Sequence, residues 1–91
     1  MSAEIAGAGK LRVTVVSPER QLFEGDATAI VAPAYDGEVG ILPRHAPFLT
    51  LLGAGNLVVR RGAETQQFAV AGGFAQVAGN RVRIVVEQAQ G

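Results

Sequence analysis

The chain has 91 residues, 48% of them hydrophobic, with eight acidic side chains balancing eight basic ones. That is one small domain, too short for two independent cores. A net charge of zero lacks the basic excess that nucleic-acid binding needs, and the absence of cysteine rules out disulfides and thiolate chemistry. No apolar run is long enough to span a bilayer as a helix. Met1–Gly9 has no basic start followed by an apolar run, so it does not read as a signal peptide. It is expected to be a short flexible leader.

From Lys10 onward the chain reads as strands and turns. Leu11, Val13 and Val15 alternate with Arg12 and Thr14, the period-two pattern of a half-buried strand. Ser17-Pro18-Glu19 ends it. Gln21–Glu24 is a short strand, Gly25-Asp26 a turn or bulge signal, and Ala27–Ala32 a strand apolar enough to be buried on both sides. After the loop Pro33–Gly37 come Glu38–Leu42, closed by Pro43, and Phe48–Leu52, ended by Gly53-Ala54-Gly55. Leu57–Arg61 and Thr65–Val70 flank Gly62-Ala63-Glu64 as a hairpin. Phe74–Ala78 and Arg81–Glu87 flank Gly79-Asn80 as a second one. Gly72-Gly73 reads as a backbone kink between adjacent strands. In the last strand Val85 interrupts the polar face, so that side is expected to be partly covered. Short strands at regular intervals argue for an all-β sandwich or barrel.

Few residues suggest chemistry. His45, the only histidine, has an ordinary pKa near neutrality, and Asp36 and Glu38 lie close in sequence. No nucleophile motif accompanies them, so a histidine bonded within a structured loop, or touching a partner, is preferred to catalysis. Asp36 and Glu38, two apart on one strand, point the same way and leave no room for a substrate between them. Their plain reading is solvated loop charge. Gly37 and Gly40 are not followed by Gly-Lys-Ser/Thr, so they make no phosphate loop. Arg60-Arg61 and Arg81/Arg83 read as a solvated basic face rather than a carboxylate-binding stripe.

Read together, the loops point further. Val16-Ser17-Pro18-Glu19, Leu22-Phe23-Glu24-Gly25, the long stretch Gly37-Glu38-Val39-Gly40-Ile41-Leu42-Pro43-Arg44-His45-Ala46-Pro47-Phe48-Leu49-Thr50, Gly72-Gly73-Phe74 and Asn80-Arg81-Val82 occur in that order. Lys10–Gln88 resembles the N-terminal β-sandwich domain of the epsilon subunit of F-type ATP synthase. The resemblance implies a ten-stranded antiparallel β-sandwich of two packed sheets over residues 10–88, with 89–91 a short tail. It implies a non-catalytic, cofactor-free subunit of the rotor's central stalk, linking the gamma subunit to the c-ring. Its place is peripheral, on the cytoplasmic face of the bacterial inner membrane, without insertion into it. By the same resemblance Tyr35, Asp36, Gly37 and Glu38 face the c-ring, and Ser17, His45, Ala46, Leu49 and Thr50 lie toward gamma. Family members commonly continue into a helical hairpin that brakes ATP hydrolysis. This chain stops at Glu87–Gly91, about where that hairpin begins, so hairpin-dependent inhibition is not expected of it. The competing readings are a small hydrolase centred on His45 and a binding module that adds a peptide strand to a sheet edge.

Overall fold

Alternation of apolar and polar residues decides where the strands lie and which face each one buries. The computed structural model describes residues 10–44 and 46–90. The expected leader Met1–Gly9, together with His45 and Gly91, lies outside the described residues. Eight strands follow one another: β1 (Leu11–Val16), β2 (Gln21–Ala27), β3 (Ala29–Ala34), β4 (Gly37–Ile41), β5 (Phe48–Leu51), β6 (Ala54–Arg61), β7 (Glu64–Ala78) and β8 (Arg81–Gln90). Leu11, Val13 and Val15 of β1 and Val82, Ile84 and Val86 of β8 are buried, as the period of two requires.

The all-β class is as expected, but the strand count, the division into two sheets and the strand directions differ. Among the described residues there are eight strands rather than ten, hydrogen-bonded as one continuous sheet in the order β2-β1-β8-β7-β6-β3-β4, with β5 also alongside β7. The segments Thr65–Val70 and Phe74–Ala78 form a single strand, β7. The ladder to β8 continues on both sides of its bend, pairing Ala71 with Gln88 and Gly73 with Val86. Gly72 and Gly73 make the bend at φ +77° and +118°, values that side-chain-bearing residues rarely adopt. Gly25 and Asp26 likewise stay in register with β1, opposite Val13 and Arg12. The sheet is not wholly antiparallel either, because β1 runs parallel to β8.

The bend divides the sheet into two layers that share β7. The first half of β7 carries β6, β3 and β4; the second half carries β5 and, through β8, β1 and β2. Inward-facing side chains from both layers form one core cluster, among them Leu11, Val13, Ile84, Ile30, Leu57 and Val59, each fully buried. No polar or charged side chain among the described residues is buried, so the core carries no desolvation cost for such groups. The layers meet again between β2 and β3. There the Thr28 N–H and hydroxyl both donate to the Arg60 carbonyl, at 2.7 and 3.1 Å. The same hydroxyl accepts the Gly62 N–H at 3.3 Å. Nearby, the Arg61 guanidinium lies 5.5 Å from the centre of the Phe23 ring, a cation–π contact joining β6 to β2.

The bend sets a strict steric limit. A Cβ on Gly73 would collide with the Val85 carbonyl oxygen and stand 2.8 Å from Val86 Cα, whereas one on Gly40 would meet nothing within 4 Å. Gly73→Ala is therefore expected to destabilise the fold by at least about 3 kcal/mol, from strained backbone and overpacking together. Gly40→Ala should stay within about 0.5 kcal/mol of wild type. Urea unfolding of the two variants checks the contrast.

Candidate docking surface

The β3–β4 connection is a tight turn. Ala34 pairs with Gly37 across Tyr35 and Asp36, and the positive φ that closes it falls on Gly37, at +139°. Tyr35 is 69% exposed, and Asp36, Gly37 and Glu38 are exposed beside it. A tyrosine ring left in water on a tight turn is apolar area available to a partner.

Backbone hydrogen bonds hold this turn in place. The Tyr35 N–H donates to the Leu51 carbonyl at 3.1 Å, and the Gly53 N–H donates to the Pro33 carbonyl at 2.8 Å. Ala34 also bridges to Leu52. Leu52 in turn donates its N–H to Gly73 O at 2.9 Å, and Gly72 donates to Gly53 O at 3.3 Å. The turn, the end of β5 and the bend of β7 are thus fastened into one unit.

The outer face of the β5-β7-β8-β1-β2 layer begins at the same place. Strand register sets Leu51 opposite Phe74, Phe74 opposite Val85, and Val85 opposite Val16. These four side chains form an apolar row across the sheet. Leu51 is 61% exposed, and the other three are half-buried. The next row is Leu49, Gln76, Arg83, Thr14 and Glu24, and the one beyond it Ala78, Arg81, Arg12 and Asp26. The face therefore grades from apolar near the Tyr35 turn to charged away from it. Both ion pairs among the described residues lie at the charged side. They join Arg12 to Glu24 at 3.4 Å and to Asp26 at 3.5 Å.

The residues expected on the gamma side separate on this geometry. Leu49 is 65% exposed on the outer face. Ser17 directly follows Val16 at the end of the apolar row. Its hydroxyl is engaged within its own turn, accepting the Arg20 N–H at 3.3 Å and donating to the Arg20 carbonyl at 3.2 Å. Thr50 alternates to the opposite face of β5, the face on which Phe48 packs against the core. Its hydroxyl donates to Leu51 O at 3.4 Å. Ala46 is exposed in the connection between β4 and β5. His45 lies outside the described residues, so its relation to Asp36 and Glu38 is not described either.

Sequence reasoning missed Leu51, Phe74 and Val16. The one available signal was Val85 interrupting a polar face, and only the register shows what stands beside it. Among the described residues no three or more His, Cys, Asp or Glu side chains stand close enough to share a metal ion. Two surface clefts, of about 400 and 430 Å³, lie elsewhere. Lys10, Asp26, Thr28 and Arg61 line one, and Glu19, Glu87 and the neighbouring parts of β7 and β8 line the other.

Comparison with known proteins places this architecture. Residues 10–91 match the family model of the ATP synthase delta/epsilon chain β-sandwich domain. The ATP synthase epsilon chain of Leptospira borgpetersenii is 42% identical over 80 residues, covering 88% of this chain and 63% of the relative. That of Caulobacter vibrioides is also 42% identical over 80 residues, covering 88% of this chain and 93% of the relative. The chain thus spans less than two thirds of the Leptospira protein and nearly all of the Caulobacter one. Among solved structures, a chain of the Euglena gracilis mitochondrial ATP synthase, in a structure of its OSCP, F1 and c-ring, superposes with a TM-score of 0.84 at 27% identity. The match covers 90% of this chain and 53% of that one. A chain from the central stalk and c-ring of the Tetrahymena thermophila mitochondrial ATP synthase superposes with a TM-score of 0.73 at 22% identity, covering 89% and 66%; at that identity it shows the fold alone. With its whole sandwich matched from Lys10 onward, the chain belongs to the family of ATP synthase delta/epsilon β-sandwich domains.

Proposed function

We propose that this domain is a rotor element of an F-type ATP synthase, joining the gamma subunit to the c-ring so that ion-driven rotation reaches the catalytic sites. The observation that carries the reading is the apolar row Leu51, Phe74, Val85 and Val16, left partly exposed on a face that beyond Leu49 grades into charge. A contiguous apolar strip rimmed by charge is the usual mark of a protein interface. In this reading gamma covers the row, with Leu49 and Ser17 at its margin; the assignment of His45, Ala46 and Thr50 to the gamma side rests on the family resemblance alone. The turn of Tyr35, Asp36, Gly37 and Glu38 meets the polar loops of the c-ring. The complex holds the domain at the cytoplasmic face of the bacterial membrane without inserting it. Family membership and the superposition on an ATP synthase that includes a c-ring support the assignment.

The physical demands on such a part are modest and suit this fold. It needs no chemistry of its own. It needs a stiff body and two attachment surfaces that resist shear. Close packing supplies the stiffness. An interface of about 1,600 Å² in total is enough for stable attachment. Because the Tyr35 turn and the end of β5 are hydrogen-bonded to each other, force applied at one surface reaches the other through backbone rather than through loose loops.

Two outcomes follow. Leu51→Asp should weaken binding to a purified gamma-containing stalk assembly by about tenfold or more, since a buried unpaired carboxylate opposes association. Its stability should stay within about 0.5 kcal/mol. Calorimetric titration and thermal unfolding together check this, and unchanged affinity would remove the apolar row from the gamma interface. Glu38→Lys should fold normally and loosen contact with the c-ring, lowering ATP-driven ion pumping relative to ATP hydrolysis in membrane vesicles. An unchanged ratio would take Glu38 out of that contact.

A further inference from the structure

Arg44 stands in a conformation its residue type disfavours. Its φ is +68°, and it is the only non-glycine with positive φ among the described residues. Pro43 before it is held by its ring near −65°. That sequence of signs belongs to the two central positions of a type II turn, where the second favours glycine or asparagine. An arginine there brings its Cβ against the following carbonyl. The conformation is held from outside the turn: the Arg44 N–H donates to Asn80 Oδ1 at 2.7 Å. Asn80 is itself fixed, because it sits in the tight Gly79-Asn80 turn between β7 and β8 and its carbonyl accepts the Arg12 N–H at 2.7 Å.

The guanidinium held this way is exposed, and no carboxylate among the described residues pairs with it. The fold therefore maintains an unfavourable backbone for a side chain it does not use internally. A glycine would take the same turn without the steric conflict. Backbone strain supported from a second segment is a recognised sign of a working position. A planar, permanently charged fork is suited to gripping a carboxylate through two parallel hydrogen bonds.

We infer that Arg44 is a docking residue, presented by the Asn80 clamp to an acidic group on the protein that covers this end of the sandwich. Under the rotor reading, on which this inference rests, that protein is the gamma subunit. Asn80 is the positioning residue: it touches no partner and acts by fixing the turn from which Arg44 projects. Lysine at position 44 would keep the charge but not the two-pronged geometry.

The test titrates the full 91-residue chain and its variants into the gamma-containing stalk assembly at low and high salt. Arg44→Gly should bind about tenfold more weakly at low salt, with the difference shrinking as salt screens the pair. Its thermal midpoint should be unchanged or raised, because glycine suits the turn. Arg44→Lys should fall between the two. Asn80→Ala should also weaken binding and speed hydrogen exchange at the Arg44 amide, while Asn80→Asp, which keeps an acceptor oxygen, should preserve both. Wild-type binding that Arg44→Gly matches would overturn the inference and leave the rotor reading standing, as would an Arg44 amide indifferent to Asn80→Ala. Failure of the wild-type chain to bind the assembly would mean that the rotor reading has failed, and the inference would fall with it.

Discussion

The close approach of the β7 bend to β8 is the contact on which the other features depend. Gly72 and Gly73 let one strand change direction while remaining hydrogen-bonded to its neighbour. The first half of β7 can then build one layer and the second half the other, so both layers share a strand and a single core. The Val85–Val86 backbone lies against Gly73 so tightly that no Cβ fits. The bend also receives the Leu52 N–H, and the Gly53 carbonyl accepts from Gly72. Those bonds place the end of β5, and through it the Tyr35 turn. The two candidate attachment surfaces are therefore consequences of one backbone geometry.

Their chemistry differs in a way that suits unlike partners. The outer sheet face offers aliphatic and aromatic area shading into arginine and carboxylate. The turn offers a tyrosine and two carboxylates on a short, fixed support. Apolar area gives attachment strength that salt hardly alters, while exposed charge chiefly sets orientation and approach. The proposed rotor role would need both, because a purely electrostatic contact is screened at physiological ionic strength.

Much of the fold was legible in the sequence because its signals are local. Alternation in Leu11–Val15 and in Val82–Val86 located the first and last strands and their buried faces. Gly62-Ala63 and Gly79-Asn80 marked the hairpins. The merging of two expected strands into β7 was hidden because Gly72-Gly73 looks the same locally whether the chain ends a strand or bends within one. The parallel pairing of β1 with β8 joins opposite ends of the chain, and no local pattern encodes it. The same limit applies to the surface. Val85 was visible as an oddity on a polar face, but its neighbours Phe74, Leu51 and Val16 are set by register across four strands. Arg44 gave no signal at all, since the cost of its backbone shows only in a dihedral angle. The resemblance carried by Gly37–Thr50 identified the family without revealing which of those residues face outward. Leu49 does, whereas Thr50, one residue on, turns inward.

The central claim is that gamma covers the outer face of β5, β7, β8 and β1. Methyl NMR of the isotopically labelled chain, recorded free and with the gamma-containing assembly, tests it most directly. The account predicts that the methyl signals of Leu49, Leu51, Val16 and Val85 shift or broaden on binding, while buried methyls such as Leu57 and Val59 in the other layer are little changed. Binding that leaves the first four signals in place, with perturbations elsewhere on the sandwich, would contradict it.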